Sequence, residues 1–240
     1  GYGGLDLLGG WPSGTINDLD IDPGRNLAFI GNGGLFQVLN VSNPAQPALI
    51  SQLSLAPNSL TVIKVVGTTA FVANMAGGLK VVDIADPLNL QVMGACTTIE
   101  SARGLDISGN YAYIADYHQG FRIIDISNPS APVQSAFLPF PGRTRLVQVF
   151  GNYAYVQRGR ALNETQGDQG VQIIDISDPA NPVAKALIPV GAGDMDLDAS
   201  GQFLFIPAAN NYLHIFDVSN PDAPFEAGVY YGALNPTAVT

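Results

Sequence analysis

The sequence predicts an all-β fold, a β-propeller built from four-stranded antiparallel blades. Three observations support this prediction. One phrase recurs five times, each repeat holds four short β-rich stretches, and no stretch shows the apolar period of an amphipathic helix. Four strands in about 42 residues are typical of a propeller blade, whereas a solenoid repeat is shorter. A sandwich or a jelly roll does not require near-identical units at a fixed spacing.

The clearest repeat is an apolar strand that ends in Asp-Ile-Ser-Asx-Pro or a variant of it. Its closing prolines are 43, 42, 50 and 42 residues apart. We assign it to strand c of each blade. The five copies are LFQVLNVSNP at 35–44, LKVVDIADP at 79–87, FRIIDISNP at 121–129, VQIIDISDP at 171–179 and LHIFDVSNP at 213–221.

Two apolar phrases precede each copy and one follows it, which predicts strands a, b and d. The chain is therefore expected to be a single propeller domain over residues 1–240. LDLLGGW at 5–11 aligns with strand d, and NPTAVT at 235–240 aligns with the start of strand a. We expect a segment of a longer chain whose ring has six or more blades, and a closed five-bladed ring is the alternative. The five complete blades are predicted at about residues 16–56, 59–98, 102–140, 144–190 and 193–231.

These repeats resemble the LVIVD repeat family, which is named after this third strand. The resemblance covers residues 18–230, with Asn40 in place of the strand-c aspartate in blade 1 and Ala85 in place of serine in blade 2. It implies a propeller at the cell surface, secreted or extracellular, in a bacterium or an archaeon, with the periplasm as a further possibility. The family has no shared catalytic motif, so the resemblance implies no reaction.

Composition and charge exclude several other classes. The chain has 20 Asp+Glu against 10 Lys+Arg, a net charge of −10, which argues against nucleic acid as a partner. An apolar content of 47% argues against disorder, and no apolar run is long enough for a transmembrane segment. The one cysteine, Cys96, cannot form an intrachain disulfide and is expected to be buried.

Two polar columns recur from blade to blade. The strand-c residues are predicted to accept hydrogen bonds from turn N–H groups rather than to bind metal, and they are Asn40, Asp83, Asp125, Asp175 and Asp217. The strand-a residues are expected to face the central channel, and they are Asp20, Lys64, Asp106, Gln148 and Asp196.

The strand-a column is richest in carboxylates in blades 1 and 5. Hydrated channel lining and turn capping are the favoured interpretation, and a channel Ca²⁺ ion is the alternative, because carboxylate oxygens suit this ion. No other cofactor is indicated. The candidate metal ligands are Asp18, Asp20 and Asp22 in blade 1, and Asp194, Asp196 and Asp198 in blade 5.

The two histidines lie in different blades, which argues against a zinc site. His214 shares its strand-c position with Gln37, Lys80, Arg122 and Gln172, and it is expected to make a surface or interblade contact. His118 lies between strands b and c of blade 3, where a function is more plausible. Asn163 begins an N-glycosylation sequon in an insertion at 158–169 of blade 4.

Basic residues concentrate in the d–a and b–c connections, which share one end of a propeller. We expect them to converge on one sector of the rim with Tyr117 as a stacking platform, and to bind an anionic ligand or partner. Neutralisation of the arginines by Asp116, Glu164 and Asp168 is the alternative. The candidate partner-binding residues are Arg103, Arg143, Arg145, Arg158, Arg160, Asp116, Tyr117 and His118.

These features favour a non-enzymatic interaction module that binds a protein or glycan through the loops at this end. One alternative is a structural subunit of a surface layer or larger extracellular assembly, in which the chain would be multimeric. The other is a hydrolase or lyase acting at the channel mouth, with Asp116 and His118 as the local acid–base candidates. No catalytic residue is assigned.

Overall fold

The computed structural model describes residues 16–97, 100–140, 142–159, 169–190, 198–207 and 212–231, with only the backbone of 198–200 included. Within these ranges twenty strands occur and no helix. No helix in the described ranges is therefore long and apolar enough to cross a membrane. The sequence predicted this all-strand character from the short β-rich phrases and the turn residues between them.

The strands form five antiparallel sheets of four consecutive strands each, in the order a, b, c, d. Blade 1 holds β1 (Ile16–Asp22), β2 (Leu27–Asn32), β3 (Leu35–Asn40) and β4 (Ala48–Ser54). Blade 2 holds β5 (Val62–Val66), β6 (Thr69–Ala73), β7 (Leu79–Asp83) and β8 (Gln91–Cys96). Blade 3 holds β9 (Ala102–Ser108), β10 (Tyr111–Asp116), β11 (Gly120–Asp125) and β12 (Val133–Pro139).

The other two sheets follow the same order. Blade 4 holds β13 (Arg143–Phe150), β14 (Tyr153–Gly159), β15 (Gly170–Asp175) and β16 (Val183–Ile188). Blade 5 holds β17 (Asp198–Ser200), β18 (Phe203–Pro207), β19 (Leu213–Asp217) and β20 (Phe225–Tyr230). Each strand a contacts the strand a of the next blade, so the sheets lie side by side around an axis. The predicted fold class is confirmed.

The apolar core is divided into layers, each between two successive blades. Strands b and c are covered on both faces, which explains why they are almost continuous apolar runs in the sequence. Fully buried side chains in the four layers include Phe36 for blades 1 and 2, Leu79 for 2 and 3, Phe121 for 3 and 4, and Ile173 for 4 and 5.

The outermost strand d contacts the proline turn of the next blade in blades 1, 2 and 4. Ser51 donates through its hydroxyl to the carbonyl of Pro87, and the Ala186 N–H donates to the carbonyl of Pro221 at 3.2 Å. Gly94 has the position of Ser51 in the next blade, opposite Val81 of strand c, and it packs directly against the Pro129 carbonyl. The Asx-Pro turns thus join successive blades as well as ending strand c.

The strand-c carboxylates and amide cap the turns, as the sequence predicted. In each blade the side-chain Oδ1 accepts a hydrogen bond from the backbone N–H two residues further on, for example at 2.8 Å from Ser127 to Asp125 and at 2.9 Å from Ser42 to Asn40. Hydrogen bonds from the hydroxyl and N–H of the following serine hold the pKa of Asp125 below its ordinary value, and the same bonds act on Asp175 and Asp217. These side chains are structural.

Cys96 at the end of β8 is less buried than expected. It packs at the margin of the core layer between blades 2 and 3 and keeps partial exposure. Burial nevertheless raises the pKa of its thiol, because desolvation disfavours the thiolate.

Candidate functional site

The strand-a polar column lines a central cavity of about 420 Å³. Asp20, Lys64, Asp106 and Gln148, one from each of the first four blades, all lie on its wall. Alternation along strand a turns every second side chain the same way, so one polar position per blade reaches the channel. The expectation that this column faces the channel therefore holds for these four blades.

The channel carboxylates join blade 1 to blade 2 and blade 3 to blade 4. Asp18 and Asp20 of β1 accept hydrogen bonds at 2.6 Å from the N–H groups of Ile63 and Val65 in β5. Asp106 of β9 accepts one at 2.7 Å from Val149 in β13. These N–H groups lie on the free edge of an innermost strand, where no ladder partner is present. The carboxylates thus satisfy exposed edge donors and stabilise the seams between blades.

Among the described residues, no group of three or more His, Cys, Asp or Glu is placed to hold a metal ion. Asp18 and Asp20 bind backbone N–H groups, and burial raises the pKa of Asp18. Asp22 binds Arg25 at 2.6 Å, which lowers its pKa. Asp194, Asp196 and the side chain of Asp198 lie outside the described residues.

Three arginines surround one aromatic ring at the end of the propeller that carries the d–a and b–c connections. The ring is that of Tyr117, in the turn between β10 and β11. The guanidinium carbons of Arg103, Arg143 and Arg145 lie 4.8, 5.6 and 5.9 Å from its centroid. Cations over an aromatic face are attracted by its quadrupole, so the ring holds the three guanidinium groups in place. We call these three residues the arginine cluster.

The buried Thr144 positions this cluster. Its N–H donates to the carbonyl of Tyr117 at 2.6 Å, and its hydroxyl donates to the carbonyl of Gly120 at 2.9 Å. These bonds fix the b–c turn of blade 3 against the first strand of blade 4. Because side chains alternate along a strand, Arg143 and Arg145 share the face opposite Thr144 and both reach Tyr117.

Two members of the arginine cluster, Arg103 and Arg143, have no charged partner among the described residues. Glu100 is bound to His118 at 2.5 Å, and the imidazole of His118 lies 4.2 Å from the Tyr117 ring. Neither Arg103 nor Arg143 forms an ion pair with any described carboxylate, and the Nε atom of each is buried without a hydrogen-bond partner there. Three like charges close together at a half-buried position create a positive potential that attracts an anion.

Asp116 corrects the sequence-based assignment, which placed it among the partner-contacting residues. It has no exposed surface, and its carboxylate accepts hydrogen bonds from Nε of Arg122 at 2.6 Å and from the Ser101 N–H at 2.8 Å. Arg122 is itself 3% exposed and stacks over Phe137 at 4.2 Å. Asp116 therefore holds the segment at Ser101 and the Arg122 side chain in place, and it does not form an acid–base pair with His118.

Arg158 is a second correction. It is only 7% exposed, donates through Nη1 to Oε1 of Gln172 at 3.2 Å, and lies 5.0 Å from the centroid of Phe140. It is thus held inside blade 4, and no contact with Tyr117 places it in the arginine cluster. Arg160 and the sequon at Asn163 lie outside the described residues.

A buried polar pair at the b–c end of the blade is the feature that the sequence reading missed. A polar residue at or next to the end of strand b contacts the polar position of strand c in three blades: Asn32 is paired with Gln37 in blade 1, Asp116 with Arg122 in blade 3, and Arg158 with Gln172 in blade 4. Gln37, Arg122 and Gln172 at this strand-c position are buried, which the sequence did not indicate. His214 has the same position in blade 5 but differs, since it binds Glu226 of strand d in a contact that is exposed to solvent. The matching polar residues in strands b and c were the available signal.

Five radially placed four-stranded antiparallel sheets around a channel define this protein as a β-propeller. The model of the LVIVD repeat matches residues 25–54, 60–98, 100–136, 141–187 and 192–231. The chain belongs to the LVIVD repeat family. No curated protein sequence matches it significantly.

Solved structures share the fold at low sequence identity. A computationally designed protein, Ika8, has a TM-score of 0.71 at 14% identity, with 94% of this chain and 64% of that one covered. The β-propeller domain of Cps50 (Swd1) from Myceliophteria thermophila has a TM-score of 0.70 at 13% identity, with 92% and 73% covered. A hypothetical selenium-binding protein from Sulfolobus tokodaii has a TM-score of 0.69 at 11% identity, with 90% and 64% covered. The chain thus spans about two thirds of the length of these structures.

Proposed function

We propose that this propeller is a non-enzymatic interaction module that binds an anionic partner at the arginine cluster. The observation that supports the proposal is the convergence of Arg103, Arg143 and Arg145 on the Tyr117 ring. In a chain of net charge −10, a concentration of positive charge at one rim sector is a specific local feature. It recruits negative groups while the rest of the surface repels them.

The cluster is suited to binding because its side chains are already ordered. Free arginines lose rotamer entropy when they bind, and contact with one ring removes much of this cost in advance. A bound anion would also relieve the repulsion among the three guanidinium groups. Tyr117 acts as the support for the arginines and not as the stacking platform that the sequence suggested, because its ring already contacts them and His118.

The partner in this proposal is a protein or glycan that presents acidic groups at the cell surface or in the extracellular space. The resemblance of the repeats to surface-attached propellers supports the location, and the acidic composition supports the exclusion of nucleic acid. The enzymatic alternative loses its local candidates, since Asp116 is bound to Arg122 and His118 to Glu100.

The experiment compares the wild type with the double variant Arg103→Gln/Arg143→Gln. The probes are a hexa-aspartate peptide and a galacturonate oligomer, and binding is measured by calorimetry at low and at moderate salt. Charge-assisted hydrogen bonds contribute about 1.5–3 kcal/mol each, so the double variant should bind at least about tenfold more weakly, with a flatter salt dependence.

Lys185→Gln is the control for a positive charge lost away from the cluster: it removes one charge, where the double variant removes two, and it lies between Asp175 and Asp222 in blade 4. It should leave binding unchanged. Equal affinity of the double variant and the wild type for both probes would refute the proposed function.

A further inference from the structure

We infer that the arginine cluster recognises a tetrahedral oxyanion, the group that phosphate and sulfate monoesters share, in preference to a carboxylate. This inference rests on the proposed function, because it assumes that the cluster is an anion site. It goes further by naming the chemical class of the bound group.

The number of donors exceeds what one carboxylate uses. A carboxylate is planar and has two oxygens, and a single guanidinium fork satisfies both of them. Three guanidinium groups lie within 6 Å of one ring centre, at 4.8, 5.6 and 5.9 Å. A monoester of phosphate or sulfate has three terminal oxygens that point in different directions, so each guanidinium can donate to an oxygen of its own.

The type of donor also favours an oxyanion. All three basic side chains at this ring are arginines, whose planar fork matches oxyanion geometry, and none is a lysine. The buried Nε atoms of Arg103 and Arg143 lack partners among the described residues, so these side chains are partly desolvated. Partial desolvation strengthens a charge-assisted hydrogen bond to an incoming anion.

The Tyr117 ring and the nearby Glu100 favour recognition of one ester group of the ligand rather than contacts along its length. The Tyr117 ring contacts its arginines and His118, which lies 4.2 Å away, so a sugar ring gains little by stacking on it. Glu100 is bound to His118 beside the cluster, and the chain as a whole has a charge of −10. An extended polyanion meets this negative charge beyond the cluster, so its additional acidic groups add little to the binding of the one group that lies in the cluster. A single phosphate or sulfate group on a small molecule or a saccharide avoids most of it.

Four ligands that differ at one carbon test the inference: glucose 6-phosphate, glucose 6-sulfate, glucuronate and glucose. We expect both esters to bind at least about tenfold more tightly than glucuronate by calorimetry, and glucose not to bind. The ester with the higher affinity identifies the source of the oxyanion. Equal affinity of glucuronate and the esters would overturn the inference while leaving the proposed function intact. Loss of binding to all four ligands and to hexa-aspartate would overturn both.

Arg143→Lys separates geometry from charge, and we expect it to leave folding unchanged, since the position is half-buried at the start of β13. It keeps the positive charge but loses the fork. We expect it to weaken ester binding several-fold and to leave glucuronate binding within twofold of the wild type, with Lys185→Gln as the unchanged control. An equal loss for esters and glucuronate would contradict the three-donor geometry.

Discussion

The buried ion pair of Asp116 and Arg122 makes blade 3 sensitive to the loss of either partner and tolerant of the loss of both. Arg122→Met keeps an unbranched apolar stem of similar length but removes the guanidinium. The Asp116 carboxylate, which has no exposed surface, then keeps the Ser101 N–H as its described donor. An uncompensated buried charge is costly because neither water nor a counterion reaches it.

The expected magnitude follows from these contacts. Breaking a buried pair by removing one partner costs about 3–5 kcal/mol of unfolding free energy, whereas replacing both partners by apolar groups is often nearly neutral. The double variant Asp116→Leu/Arg122→Met also loses the hydrogen bond from Ser101, which adds about 1 kcal/mol. We therefore expect about 3–5 kcal/mol for Arg122→Met and about 1–2 kcal/mol for the double variant.

Urea unfolding followed by far-UV circular dichroism measures these differences, and a thermal scan should show a melting temperature about 10 °C lower for Arg122→Met. Lys185→Met is the control, since its partner Asp222 is 65% exposed and lies 3.5 Å away, so its loss should cost less than about 1 kcal/mol. The reasoning is refuted if Arg122→Met costs no more than Lys185→Met, or if the double variant costs as much as the two single variants together.

Three further predictions concern the seams between blades, the turns after strand c and the channel carboxylate Asp18. Gly94→Ala should lower the unfolding free energy by about 1–3 kcal/mol in the same urea assay, because the added methyl would overlap the Pro129 carbonyl of the next blade. Gly228→Ala, at the same strand-d position of blade 5, meets nothing within 4 Å and should be neutral. Equal effects of the two variants would contradict close packing of Gly94 against the next blade. Asp125, Asp175 and Asp217 of strand c have pKa values lowered from 3.8, so their stabilisation is present above this pH and is lost as the pH falls through the lowered values. Asp125→Asn, which copies Asn40 of blade 1, should flatten the fall of unfolding free energy in an acid titration. Asp18 has a raised pKa, so its effect has the opposite sign: protonation stabilises the fold, and this stabilisation is lost as the pH rises through the raised value. Asp18→Asn should therefore steepen the acid-side fall, and an unchanged slope in both variants would count against these assignments.

Features that depend on neighbouring residues were predicted well from the sequence. The turn-capping role of Asp125 and its equivalents follows from a side chain that bonds to a backbone N–H only two residues away. The meeting of Arg103 and Arg145 with Tyr117 follows from strand direction alone, since in an antiparallel blade the d–a and b–c connections must share one end. Neither inference required knowledge of how the blades pack.

The direction and partners of individual side chains were decided only by the tertiary structure. Asp116 and Arg158 lie at the same end of the propeller as the arginine cluster, yet strand register turns both into the blade, towards Arg122 and Gln172. Asp18, read as a possible metal ligand, bonds to the N–H of Ile63, 45 residues away. Repeats and turns are set by local periodicity and short-range hydrogen bonds, which a single sequence displays. Burial and pairing across strands and blades depend on register and on packing between distant segments, and a single sequence does not display these.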